Sequence, residues 1–127
     1  MDFLFGFHSG WRYLVLIAGL VVLVMGLAAL RTGRLGDGAI RAVRIFAIIL
    51  DVQLLMGSAL MVVRGFFPQL IGHIVLMVAA VALAHLLSVT LKKRPPERRT
   101  PALLLTGAGL CLVLIVGGIL ALGRPIV

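Results

Sequence analysis

Four apolar runs of membrane length, separated by short polar or basic stretches, constrain this chain more than any other feature of its sequence. Crossing about 30 Å of hydrocarbon at about 1.5 Å per residue takes roughly 20 apolar residues. The runs Trp11–Leu30, Ile45–Val63, Ile71–Leu91 and Ala102–Leu122 each meet that length. Barrel strands would alternate polar and apolar positions over about ten residues, whereas these runs are continuously apolar, so the predicted fold class is all-α. Of the 127 residues 62% are hydrophobic and 13% charged, which excludes a water-soluble globule and a disordered tail. The whole of 1–127 is predicted to be one integral membrane domain.

The formal charge of +8 does not point to a nucleic-acid partner, because the basic residues flank the apolar runs. Arg31, Arg34, Arg41 and Arg44 follow the first run, and Lys92, Lys93, Arg94, Arg98 and Arg99 follow the third, leaving Arg12, Arg64 and Arg124 for the other side. By the excess of Lys and Arg in cytoplasmic loops, segments 31–44 and 92–100 are predicted to be cytoplasmic, with both termini on the outer, periplasmic side of a bacterial inner membrane. Short connections make sequential helices antiparallel, giving an up-down-up-down four-helix transmembrane bundle. Pro95 and Pro96 end the third helix and Pro101 suits the first turn of the fourth. The first run lacks preceding basic residues and a small-x-small cleavage site, so it is expected to stay in the mature chain. The stretch Asp2–Phe7 is expected to form an interfacial helical turn. The single cysteine, Cys111, lies within an apolar run and forms no intramolecular disulfide.

Ionisable groups are costly at membrane depth and mark candidate sites. His8 precedes Arg31 by 23 residues, about 35 Å as helix, and His73 precedes Lys92 by 19, about 29 Å. Two histidines of similar depth on separate helices fit the axial ligands of a b-type haem; another metal, a quinone contact and a structural role are the alternatives. Gly57, Ser58, Ala59, Gly72, Gly117 and Gly118 would leave room for a porphyrin, or simply permit close helix packing. Arg12 and Arg64 are cations in reach of haem propionates, and Trp11 and Tyr13 suit the same interface.

A second layer lies toward the basic loops. Asp51 follows Arg44, and His85 precedes Lys92, by seven residues, about 10 Å. An Asp51–His85 hydrogen bond would fix the imidazole tautomer, either as a proton-accepting pair beside a quinone head group or as a buried structural pair; Gln53 is grouped with this layer. His73 and His85 are twelve residues apart and do not share a face. Met25 with His85, and Met77 with His73, are weaker candidate metal pairs. Gln53 and Ser58 could bond across helices, and the basic third loop could hold anionic lipid.

HSGWRY (His8–Tyr13), DVQLLMG (Asp51–Gly57) and GHIVLM (Gly72–Met77) resemble small four-helix bacterial membrane proteins with an HSGxRW-type start, often labelled cytochrome b-like. The resemblance covers all four spans, and its first motif is the most specific. It implies that His8, Arg12, Gln53, Gly57 and His73 form a common polar core. Tyr13 departs from the Trp of that pattern. Asp51 stands where some relatives have histidine, and Gly72 where some have glutamate, which puts a ligand or proton carrier in doubt here.

The functional expectation is a membrane b-type cytochrome, with haem b between His8 and His73 near the outer face. It would exchange electrons with a quinone or a redox partner subunit, and a homodimer is also conceivable. The alternative is a cofactor-free accessory subunit of a larger respiratory or photosynthetic complex; a small transporter or sensor built on Asp51 and His85 is a third reading. No self-contained catalytic site is visible.

Overall fold

A computed structural model describes residues 2–122, without the side chains of Asp2 and Pro96. Arg124, assigned above to the outer side, lies outside the described residues. The helices are α1 (Asp2–Ala29), α2 (Asp37–Arg64), α3 (Leu70–Lys93) and α4 (Pro101–Ala121), with a single 3-10 turn at Pro96–Arg98. All four are long and apolar enough to cross a membrane.

Local chemistry sets the helix ends. After α1, the Gly33 N–H returns to the Ala29 carbonyl at 2.9 Å, with Gly33 at φ 76°, a left-handed conformation glycine adopts without a Cβ clash. Gly65 ends α2 likewise, at φ 88° with its N–H on the Met61 carbonyl. The Thr100 hydroxyl caps α4 by accepting from the Leu103 N–H, and Pro101 occupies the first turn, where a missing N–H costs nothing.

Two boundaries differ from the expected spans. Asp2–Phe7 is not a separate turn but the continuous start of α1, and α2 begins at Asp37 rather than Ile45. Arg41 and Arg44 therefore lie on the first turns of α2 and not in a loop. Apolar length marks only what lipid must cover; a helix continues past it wherever no breaker intervenes, here back to Gly36.

Each helix packs its backbone closely on two neighbours, in the cyclic order α1, α2, α3, α4, so that α1/α3 and α2/α4 are the diagonals. Neighbours run antiparallel. Near one end Met25 faces Gly38, Gly26 faces Leu104 and Leu87 faces Gly107; near the other His8 faces Gly57 and His73 reaches Gly118. The interior of the basic half is solidly filled by Val22, Val43, Phe46, Leu91, Leu104 and Cys111, all essentially buried. Leu20, Leu55, Val62, Leu86 and Val113 point outward and are more than half exposed, the surface a lipid-facing bundle requires.

Arg99 closes the basic end. Its Nε donates to the carbonyls of Leu91 (2.8 Å) and Arg94 (3.0 Å), and its Nη2 to Lys92 (3.0 Å). A cation on the last carbonyls of α3 also opposes the negative end of that helix dipole. Its Nη1 lies 3.6 Å from Asp37, and its carbonyl accepts the Leu35 N–H at 3.1 Å, so one residue joins both basic connections.

Lipid supplies no hydrophobic drive between helices, so close packing must hold the bundle. At Gly107 an added Cβ would lie 2.7 Å from Leu87 Cδ1 and 3.1 Å from Cγ, whereas at Gly109 it would meet nothing within 4 Å. Gly107→Ala is expected to destabilise the bundle by about 1–3 kcal/mol through overpacking, and Gly109→Ala to leave it unchanged or slightly stabler. Thermal unfolding of the two variants in one detergent checks this.

Candidate functional site

At the end away from the basic loops the interior is open. A cavity of about 500 Å³ is walled by the start of α1, the end of α2, the start of α3 and the end of α4. Its size falls within the range of small-molecule and cofactor sites, and its walls are mostly apolar with a few polar groups, as such sites are. Those polar groups are His8, Ser9 and Arg12 on α1, Gln53, Ser58 and Arg64 on α2, and Gln69 and His73 on the third segment.

His8 and His73 both line this cavity, from the diagonally placed α1 and α3. A Cβ at Gly57 would stand 3.0 Å from His8 Cε1, so the imidazole edge rests on bare α2 backbone. Gly72, Gly117, Gly118 and Ala59 do not line the cavity. A Cβ at Gly118 would lie 3.0 Å from the Met77 sulfur, while Gly72 and Gly117 face Ala121 and Leu76 across the α3–α4 seam, and Ala59 is exposed. Of the residues expected to make room, only Gly57 and Ser58 line the opening.

His73 Nδ1 lies 2.8 Å from the Gly118 carbonyl. A carbonyl only accepts, so Nδ1 carries the hydrogen; in the neutral ring Nε2 is then the nitrogen with the lone pair. Gln53, only 6% exposed, donates from Nε2 to the His8 carbonyl at 3.0 Å, while its buried Oε1 accepts no hydrogen bond among the described residues. This corrects the expected grouping: Gln53 belongs to the cavity with His8, not to the Asp51 layer. Ser58 bonds its own helix, at the Leu54 carbonyl.

Both expected cations line the opening. Arg12 donates to the Tyr13 hydroxyl at 2.9 Å, and its guanidinium sits 4.9 Å from that ring's centroid; its buried Nε makes no hydrogen bond among the described residues. The Arg64 guanidinium lies 4.5 Å from the centre of the Phe5 ring. Such stacking contributes about 0.5–1 kcal/mol where exposed. Phe5 was missed at the sequence level, though its place three residues before His8 puts it on the same helix face. Trp11 stacks on Phe7 and donates from Nε1 to the Ile49 carbonyl of α2 at 2.9 Å.

Asp51 and His85 do meet. His85 Nε2 lies 2.8 and 2.9 Å from the two carboxylate oxygens. The pair is not buried, however, but sits on the outer surface of the α2–α3 seam, its side chains 45% and 47% exposed. Met25 packs near Gly38, on a helix diagonal to α3, so it forms no site with His85. Met77 lines the cavity one turn after His73. Among the described residues no three of His, Cys, Asp and Glu gather closely enough to hold a metal ion by themselves.

No family model, curated protein or solved structure matches this chain.

The His73 tautomer is directly measurable. In protein labelled with ¹⁵N-histidine and free of added cofactor, neutral His73 is expected to show a protonated Nδ1 and a lone-pair Nε2. The reverse pattern would remove the Gly118 bond from the account.

Proposed function

We propose that this chain is a b-type cytochrome of the bacterial inner membrane, holding one haem between His8 and His73 and carrying electrons for a redox partner in the same membrane. One observation carries the reading: two imidazoles from diagonally placed helices line one cavity of about 500 Å³. His8 and His73 would hold the iron of a haem seated in that cavity. Following the excess of positive charge, the basic end would be cytoplasmic, and the cavity with both termini would lie on the outer side.

The residues present suit the group. The Gly118 carbonyl holds His73 by Nδ1, which orients the ring and raises the basicity of Nε2. Gly57 leaves His8 the space it occupies, and the Gln53 amide ties that turn of α1 to α2. Arg12 and Arg64 would anchor the carboxylates of the macrocycle at the wet edge, and the apolar walls keep water from its faces. Once bound, the iron supplies reversible one-electron chemistry; the protein sets its potential through ligands, burial and nearby charge.

Protein produced with ample haem and purified in detergent is expected to show a Soret band and, when reduced, an α band. His8→Ala and His73→Ala should each abolish stoichiometric binding, and Gly57→Val should do so by displacing His8 while leaving the fold intact. Colourless wild-type protein with normal helicity would overturn the proposal and turn attention to a cofactor-free subunit, whose co-purifying chains would then name its complex.

A further inference from the structure

The Asp51–His85 pair is left unused by the haem reading, and its placement is unusual. Two ionisable side chains nearly half exposed on a lipid-facing seam are expensive unless something polar covers them. We propose that the pair binds the carbonyl of a lipid-dissolved quinone. The proposal deepens the cytochrome reading by naming the partner of that electron carrier, and rests on it for its purpose though not for the binding itself.

The ligand class follows from the ring nitrogen that the pair leaves unpaired. The ring meets the carboxyl group through Nε2. In the arrangement where the carboxyl group hydrogen-bonds to Nε2 as donor, the ring hydrogen stands on His85 Nδ1. Nδ1 has no partner among the described residues. The pair thus presents one N–H donor to the lipid phase and needs an acceptor there. A second copy placed on it by a two-fold axis would set donor against donor.

Depth and position narrow the acceptor. Arg44 and Lys92 lie seven residues toward the basic end on the same helices, so the pair is about 10 Å farther in than the charges that hold phosphate head groups. That is beneath the interfacial layer where phospholipid ester carbonyls reside. A quinone ring, dissolved in the hydrocarbon, brings a carbonyl to this level. The pair also adjoins the haem cavity. Leu50 and Leu54 on either side of Asp51, and Val81 one turn before His85, are cavity walls, so a head group on the seam would be separated from the proposed haem by a single layer of side chains.

The test uses full-length protein in nanodiscs of quinone-free phospholipid, titrated with decylubiquinone and with a naphthoquinone bearing the same tail, each ¹³C-labelled at a carbonyl. Infrared difference spectra report hydrogen bonding of that carbonyl whether or not haem is present, so failure here and failure of the haem reading are separable. Wild type is expected to lower the carbonyl frequency of at least one quinone. Asp51→Leu with His85→Leu should abolish the shift and weaken binding at least tenfold; replacing an ion pair by apolar residues is often neutral for stability. Ala82→Phe, on the exposed face three residues before His85, keeps the pair but crowds its approach, and should also weaken binding. The proposal is overturned if wild type shifts neither quinone, if the double variant binds as wild type does, if the shifted band belongs to the unlabelled lipid ester, or if wild type is a dimer that the double variant splits.

Discussion

Inside lipid, a polar side chain that turns inward must find a partner on protein, and in this bundle the partner is mostly backbone. Trp11 reaches the Ile49 carbonyl, Gln53 the His8 carbonyl, His73 the Gly118 carbonyl, and the Cys111 thiol sits 3.7 Å from the Ala80 carbonyl. The first two stitch α1 to α2 and the last two stitch α3 to α4. The molecule is thus two helical hairpins, each sewn by side chain to main chain, set against one another. Where they meet in the basic half they interdigitate; where they meet in the other half they part around the cavity.

That arrangement explains why the two imidazoles behave differently from the Asp51–His85 pair. His8 and His73 belong to opposite hairpins and face the gap between them. Asp51 and His85 also belong to opposite hairpins, but on the outside of the seam, where they form the one side-chain pair bridging α2 and α3 among the described hydrogen bonds. Position around the helix decides which of the two roles a residue takes: twelve residues separate His73 from His85, about 120° of rotation.

Much of this was legible in the sequence because a membrane supplies a ruler. Apolar runs bounded by basic clusters give depth, and counting residues inward from Arg44 and Lys92 put Asp51 beside His85, where they are found. Depth alone says nothing of azimuth, which is why a buried structural pair stood beside a proton-accepting one among the expectations and Gln53 was grouped with that layer. Glycines carry the same ambiguity: Gly57 faces the cavity while Gly118 packs against Met77, a difference set by helix rotation. The carbonyls that hold Trp11, Gln53 and His73 leave no mark in a sequence, since every residue has one. Nor does hydropathy register the first turns of α2, whose arginines stay helical outside the apolar stretch.

The guanidinium of Arg99 binds three carbonyls at the end of α3, approaches Asp37 at the start of α2, and its own carbonyl receives the Leu35 amide. With that end knotted and its interior filled, a bulky planar guest has no route in from the basic side. The cavity instead lies at the opposite end, where Arg12 and Arg64 are among its lining, so any exchange of its contents takes place on the side away from the basic connections.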